Sequence, residues 1–277
     1  MNYTDKRFSF EFFPPKTEVG REKLAHLWAE LDTLNPEFFS VTYGAGGSTR
    51  DNTLDIIKAM RTQGIDVAPH LSFGGDDEAS MSNLLDEYKA LGVKRIVALR
   101  GDIPSGSGAV RMVYANELVE FIRNHSGDHF HLEVAAYPEI HPESTSYDSE
   151  INYFKKKLDA GANSAITQYF FNPDSYFHFL DACNKAGIDK PIYAGVMPIT
   201  NFANLQRFSK ACGADIPRWL VNKVESYGTD QRSITEFGQD FIIDMSQKLL
   251  DNGCPGIHFY SMNQLEPTRA IYNALMK

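Results

Sequence analysis

Cysteine is scarce in this sequence. Its three cysteines, Cys183, Cys212 and Cys254, lie far apart and match neither a disulfide framework nor a zinc-ligand spacing, which fits a reducing cytoplasm. Positive charge is short as well. Lys and Arg number 27 against 36 Asp and Glu, a net charge of −9 that argues against binding nucleic acid, because phosphate neutralisation needs clustered cations. The one dense basic run, Lys155-Lys156-Lys157, is flanked by acids and reads as a solvated helix face. No apolar run approaches the roughly 18 residues of a membrane span, and the opening MNYTDKRFSF lacks the apolar core of a signal peptide. No Ser/Gly/Pro-rich linker divides the chain either. A single domain over residues 1–277, in a cytoplasmic protein, is therefore expected, with 43% hydrophobic content to bury one large core.

Several chemical signatures are also missing. Neither GAGGST (44–49) nor GDIPSGSG (101–108) has the G-x-G-x-x-G spacing, and there is no P-loop and no G-x-S-x-G elbow. Lys94 precedes its strand, so no lysine stands at a strand end for Schiff-base chemistry. Only His70 and His141 look placed for a metal, which is too few, so no metal site is expected. His125, His129 and His131 come before a strand and read as a turn.

What is present is an alternation of strand and helix that runs to the end of the chain. After the opening strand, Leu24, Leu27, Trp28, Leu31 and Leu34 form a helical stripe closed by Asn35-Pro36. FFSVTYG (38–44) then reads as a strand, a helix near 51–63 stops at Gly64, and VAPHLSF (67–73) follows. Met81, Leu84, Leu85, Tyr88 and Leu91 repeat the stripe up to Gly92, before RIVALRG (95–101). Further strands are expected at 131–137, 164–170, 191–197 and 256–262. About eight strand-helix units with strongly apolar strands predict an α/β fold of the (β/α)8 TIM-barrel type, in preference to a doubly wound open sheet.

In such a barrel the active site lies at the C-terminal strand ends. Those ends carry Glu11, Thr42, His70, Arg100-Gly101-Asp102, Tyr137 with His141, Gln168 and Tyr260. Each has a plain alternative: Thr42 and Tyr260 as ordinary strand residues, His70 as a core histidine, Arg100 and Asp102 as a structural ion pair. Gln168 is a buried amide whose partners a ligand would supply. Glu11 is the hardest to explain structurally. Set among Phe8, Phe10, Phe12 and Phe13, it is expected to be poorly solvated, to have a raised pKa and to act as a general acid; a salt bridge to Arg100 or a lysine is the alternative. One acid with no evident nucleophile suits an organic cofactor that brings its own reactivity.

FEFFPPK, VTYGAGGSTR, APHLSF, ALRGD, AAYPEIHPE, DAGANSAITQYFF and GIHFYSMN occur in the order and spacing of methylenetetrahydrofolate reductase, and from Phe8 to Leu275 the chain resembles a bacterial member of that family. The resemblance implies an FAD-bearing barrel that takes hydride from NADH or NADPH and, in a second step on the same flavin face, reduces 5,10-methylenetetrahydrofolate to 5-methyltetrahydrofolate. It places Glu11 as the acid that protonates folate N10, and Asp102 between flavin and pterin. Gln168 becomes the contact to both substrates, Phe208 a stacking aromatic and Tyr260 a substrate-binding residue. Read from sequence alone, Phe208 is a helix core residue. Thr42, His70, Arg100, Gly101, Asp102, Tyr114, Ala115, Ala135, Tyr137 and His141 match flavin-lining positions, with Glu150 and Lys157 as outer FAD contacts.

Two departures stand out. Tyr153 occupies a position where the family often has asparagine, and Asn263-Gln264 replaces Asn-Arg, which predicts weaker dependence on folate polyglutamate length. Bacterial relatives lead to the expectation of a homotetramer or homodimer. The chain ends at Lys277, without room for the S-adenosylmethionine domain of eukaryotic relatives, so no such allostery is expected. The competing expectations are another flavin-dependent C1-carrier oxidoreductase on the same barrel, or a non-catalytic folate- or flavin-binding subunit.

Overall fold

The computed structural model describes residues 5–43, 47–73, 76–101 and 113–277. Its strands are β1 (Arg7–Phe12), β2 (Phe38–Val41), β3 (Val67–Leu71), β4 (Arg95–Ala98), β5 (His131–Ala136), β6 (Ser164–Thr167), β7 (Ile192–Val196) and β8 (Gly256–Tyr260). They follow one another in sequence order as a closed barrel, and the described registers are all parallel. This is the expected (β/α)8 fold. Helices α1 (Glu18–Asp32), α2 (Gly47–Thr62), α3 (Glu78–Ala90), α4 (Ala115–Ser126), α5 (Tyr147–Asp159) and α6 (Pro173–Lys185) alternate with the strands. Between β7 and β8 the chain inserts three helices, α7 (Phe202–Cys212), α8 (Arg218–Glu225) and α9 (Gln231–Asp251), and α10 (Leu265–Leu275) closes it.

The helix starts are set locally. The side chains of Thr17, Asp77, Asn172, Asn201 and Asp230 each accept from a backbone N–H in the first turn of the helix that follows, satisfying donors that the helix itself cannot. Among the described residues no helix is long and apolar enough to cross a membrane.

The strands stop short of the expected runs. FFSVTYG ends as a strand at Val41, RIVALRG at Ala98 and SAITQYF at Thr167. The physical reason is that the loops leaving the C-terminal ends are buried as well: Ser72, Phe73, Phe170, Phe171 and Met197 are all shielded beyond their strands. Apolar pattern reports burial and cannot by itself say where the hydrogen-bonded ladder ends.

By its internal contacts the chain groups into two compact units. One comprises Ser9–Ala135 and Lys156–Ala165; the other Met1–Phe8, Ala136–Lys155 and Ile166–Lys277. In the first, Phe10 and Phe12 stack on Phe39 at 5.9 and 5.2 Å, so the aromatic side chains of β1 share one face. Near the N-terminal ends of β4, β5 and β6 the same unit buries charge. Arg95 bridges Glu37 at 2.5 Å and Glu133, while Ser164 Oγ donates to Glu133 at 2.7 Å and lies 2.6 Å from His131 Nε2. Burial pushes the Glu133 carboxyl upward, but the His131 hydrogen bond and the Arg95 charge outweigh it and hold it below the ordinary carboxylate value.

In the other unit Phe8 packs edge-on against Tyr272 at 5.1 Å and alongside Phe259 at 6.5 Å. Trp219, Phe237 and Phe241 form an aromatic ladder joining α8 to α9.

Candidate functional site

Candidate residues occur at strand ends in each unit. In the first, Glu11 is the penultimate residue of β1, and its Oε2 lies 3.3 Å from His70 Nε2 on β3, with 17% and 9% of the two side chains exposed. The pair is close but not aligned as a hydrogen bond, and His70 Nε2 is buried without a partner. Ser40, paired with Glu11 across β1 and β2, likewise has a buried Oγ with no partner.

This corrects the reason the sequence offered for Glu11. Successive strand residues point to opposite faces, so Phe10 and Phe12, packed on Phe39, lie on the side away from Glu11. A described close neighbour of Glu11 is the His70 imidazole.

The neighbouring strand ends continue the pattern. Thr42, just past β2, donates its N–H to Phe12 O at 2.9 Å, and its carbonyl accepts from Thr53 Oγ1 at 2.9 Å. Arg100 follows β4 and is half-buried. Gly101 has φ +78°, and a Cβ there would stand 2.5 Å from Ser72 Oγ, so both conformation and space require glycine. Asp102 lies outside the described residues. Tyr114 is the exposed N-cap of α4, its N–H held by Glu117 Oε2 at 2.8 Å, and Ala115 begins that helix. Lys157 donates to Ala135 O at 2.7 Å, so the cation expected to contact FAD is fastened to the end of β5.

The second unit brings together Tyr137, His141, Glu150, Gln168 and Tyr260. The Tyr137 and His141 rings meet edge to face at 4.7 Å. Glu143 N–H donates to His141 Nδ1 at 3.1 Å, which puts the proton of the neutral ring on Nε2. Glu150, 2% exposed, supports this loop from behind: its Oε2 accepts from Ser144 Oγ at 2.6 Å and from His141 N–H at 3.2 Å.

Gln168 donates its backbone N–H to Ala136 O at 2.8 Å, and its Oε1 accepts from Tyr169 N–H at 3.0 Å. With the oxygen engaged, the amide offers its NH2 as donor. Tyr260 Oη donates to Thr167 O at 2.7 Å, and Gly195 N–H donates to Thr167 Oγ1 at 2.9 Å. Phe208, on α7, is half-buried, with the Arg207 guanidinium 5.0 Å from its ring centre; it is not the core residue that its helical setting suggested.

Backbone strain also gathers here. Of the four described non-glycine residues with positive φ, three, Ile140 (69°), Met262 (53°) and Asn263 (54°), lie in loops that follow β5 and β8, while Asn35 (52°) lies between α1 and β2. Thr167, Gly195, Tyr169 and Ser40 were not picked out from sequence. Gly195 did carry a signal, since glycine inside an apolar strand marks a close approach: a Cβ would stand 2.2 Å from Thr167 O. Among the described residues no three His, Cys, Asp or Glu side chains gather to hold a metal ion.

The family described as methylenetetrahydrofolate reductase matches residues 1–276. The chain is 39% identical over 268 residues to the 5,10-methylenetetrahydrofolate reductase of Escherichia coli (strain K12), covering 96% of this chain and 90% of that protein. It is 36% identical over 271 residues to Methylenetetrahydrofolate reductase (NADH) 1 of Arabidopsis thaliana, covering 92% of this chain and 46% of the plant protein. Among solved structures, an uncharacterized protein from Clostridium thermocellum that binds two copies of 5-methyl-5,6,7,8-tetrahydrofolic acid superposes with a TM-score of 0.66. Its 16% identity, over 98% of this chain and 94% of that one, makes this a likeness of fold.

Proposed function

The chain belongs to the methylenetetrahydrofolate reductase family, and from that premise we propose that it reduces 5,10-methylenetetrahydrofolate to 5-methyltetrahydrofolate, with FAD as its bound cofactor and NADH or NADPH as reductant. The observation that carries this reading is Glu11: a largely buried carboxyl at a strand end, set against a buried imidazole, in a chain matched to the family along its length.

The residues fit the cofactor. Arg100 supplies a cation for a pyrophosphate, Gly101 keeps the adjacent backbone free of a side chain, and His70 Nε2 is a buried polar atom still lacking a partner. Thr42, Tyr114, Ala115, Ala135, Tyr137 and His141 complete the proposed flavin lining, with Glu150 and Lys157 further out. Bound FAD supplies a two-electron store that one substrate fills and the other empties, which gives ping-pong kinetics.

The chain's own groups do the rest. Glu11 delivers a proton to folate N10, which opens the imidazolidine ring and leaves a 5-iminium cation on the carbon to be reduced. Asp102 is assigned to stabilise that cation. Gln168 presents its NH2 to either substrate in turn, Phe208 stacks on the one bound, and Tyr260 contributes to substrate binding. Because the plant relative is named for NADH, NADH is the reductant to try first. We assign the protein to the cytoplasm as a homodimer or homotetramer, supplying methyl groups for methionine synthesis.

The test is an anaerobic visible spectrum of the purified protein. Flavin bands that bleach with NADH and return with methylenetetrahydrofolate are expected. The Glu11→Gln variant should bleach normally and fail to recover. Bleaching without recovery in the unaltered protein would indicate another flavin-dependent oxidoreductase, and a protein that cannot take up FAD would overturn the proposal.

A further inference from the structure

Helix α7 is weakly rooted in apolar packing. Of the residues Phe202–Cys212 only Leu205 and Ser209 are buried, so hydrophobic burial contributes little to fixing its position. Its C-terminal half is held by polar contacts instead. Tyr169 Oη lies 3.2 Å from Ser209 Oγ, Cys212 Sγ–H donates to the same hydroxyl at 3.3 Å, and just beyond the helix Asp215 N–H donates to Glu139 at 2.8 Å. Burial of Tyr169 pushes its hydroxyl far above the ordinary phenol value, so the contact is one between neutral groups.

Tyr169 also follows Gln168 directly, and its own N–H holds the Gln168 Oε1 at 3.0 Å. One residue thus orients the amide through its backbone and fastens, through its hydroxyl, the helix on which Phe208 immediately precedes Ser209. We propose that Tyr169 is a positioning residue: its hydroxyl fixes the Phe208 ring relative to the Gln168 amide, and so sets the fit of both substrates. This rests on the function proposed above. A ring that shifts with α7 loosens the stacked substrate without touching the flavin or the proton donor.

The Tyr169→Phe variant keeps the ring and deletes the tie. Losing the hydroxyl's contacts to Ser209 and Cys212 corresponds to roughly a fivefold effect, so KM for methylenetetrahydrofolate and for NADH should each rise about fivefold while FAD affinity stays unchanged. Amides of residues 202–212 should exchange hydrogen about fivefold faster. Ser209→Ala should reproduce both effects, and in a Phe208→Ala background Tyr169→Phe should leave KM where it was. Unchanged KM and exchange in both single variants would overturn the proposal, as would a KM increase of equal size in the Phe208→Ala background. An unaltered protein that never turns over the folate would overturn the functional proposal as well, which separates the two failures.

Discussion

Arg95→Met tests how the buried charge near the N-terminal strand ends is held. The guanidinium lies between Glu37, at 2.5 Å, and Glu133, whose side chain is wholly buried. Methionine keeps most of the stem and removes the cation, leaving Glu133 with Ser164 and His131. Removing one partner of a buried pair costs about 3–5 kcal/mol, because the other charge stays desolvated. At roughly 2–4 °C per kcal/mol for a chain of this size, Tm at pH 7 should fall by about 10 °C. The pH dependence separates charge from packing. The Glu133 carboxyl is held low in the folded state, so it contributes stability that is present above its unfolded pKa, near 4.3, and is lost as pH falls through the folded value. Without Arg95 the share of that contribution owed to the guanidinium is absent, while the His131 and Ser164 hydrogen bonds remain. The difference in Tm between the unaltered protein and the variant should therefore be widest near neutrality and shrink below about pH 4. Thermal unfolding followed by circular dichroism across this range reads both quantities. A pH-independent difference, or a Tm at pH 7 within about 2 °C of the unaltered protein, would refute the electrostatic account.

Gly195→Ala should be far more damaging than Gly64→Ala. At Gly195 a Cβ would stand 2.2 Å from Thr167 O and 2.6 Å from Tyr260 Cε2, so the strand ends must move apart; Gly64, at φ +78°, has nothing within 4 Å and should cost only about 1 kcal/mol for its left-handed backbone. Equal losses of Tm in the two variants would remove the crowding argument. Glu150→Ala should weaken FAD binding about tenfold, since it releases the His141 N–H and the Ser144 hydroxyl from a carboxylate. Glu150→Gln, which keeps an acceptor, should recover much of that loss. A fluorescence titration with FAD distinguishes them, and two variants with the same affinity would place Glu150 outside the support of the flavin loop.

The fold was legible because its evidence is local and repeated. Each helical stripe and each apolar run reflects a face that must be buried, and the (β/α)8 order follows from their alternation. Two things were not legible. The C-terminal limits of the strands were hidden because Phe73, Phe170 and Phe171 are buried although they lie in loops. The three helices between β7 and β8 were not told apart, because only single breakers mark their limits: Gly213 and Pro217 between α7 and α8, and Gly228 between α8 and α9.

Candidate site residues stood out in the sequence where a polar side chain interrupts an apolar strand end, as with Glu11 in FSFEF and Gln168 in AITQYF. Their surroundings were not, because neighbours in a parallel barrel come from register and not from adjacency. Glu11 shows the difference. Its flanking phenylalanines suggested an apolar wall, yet alternation sends Phe10 and Phe12 to the far face and leaves Glu11 beside Ser40 by register and His70 by contact. A carboxyl beside an imidazole has a polar group close at hand, which a carboxyl walled by aromatic rings lacks. Two strands away in sequence and adjacent in space, His70 thus bears on the acid as directly as on the flavin it is expected to line. Tyr260 makes the same point from the other unit: a strand-end hydroxyl that looked available to substrate donates to Thr167 O, and through that carbonyl it steadies the residue that precedes Gln168.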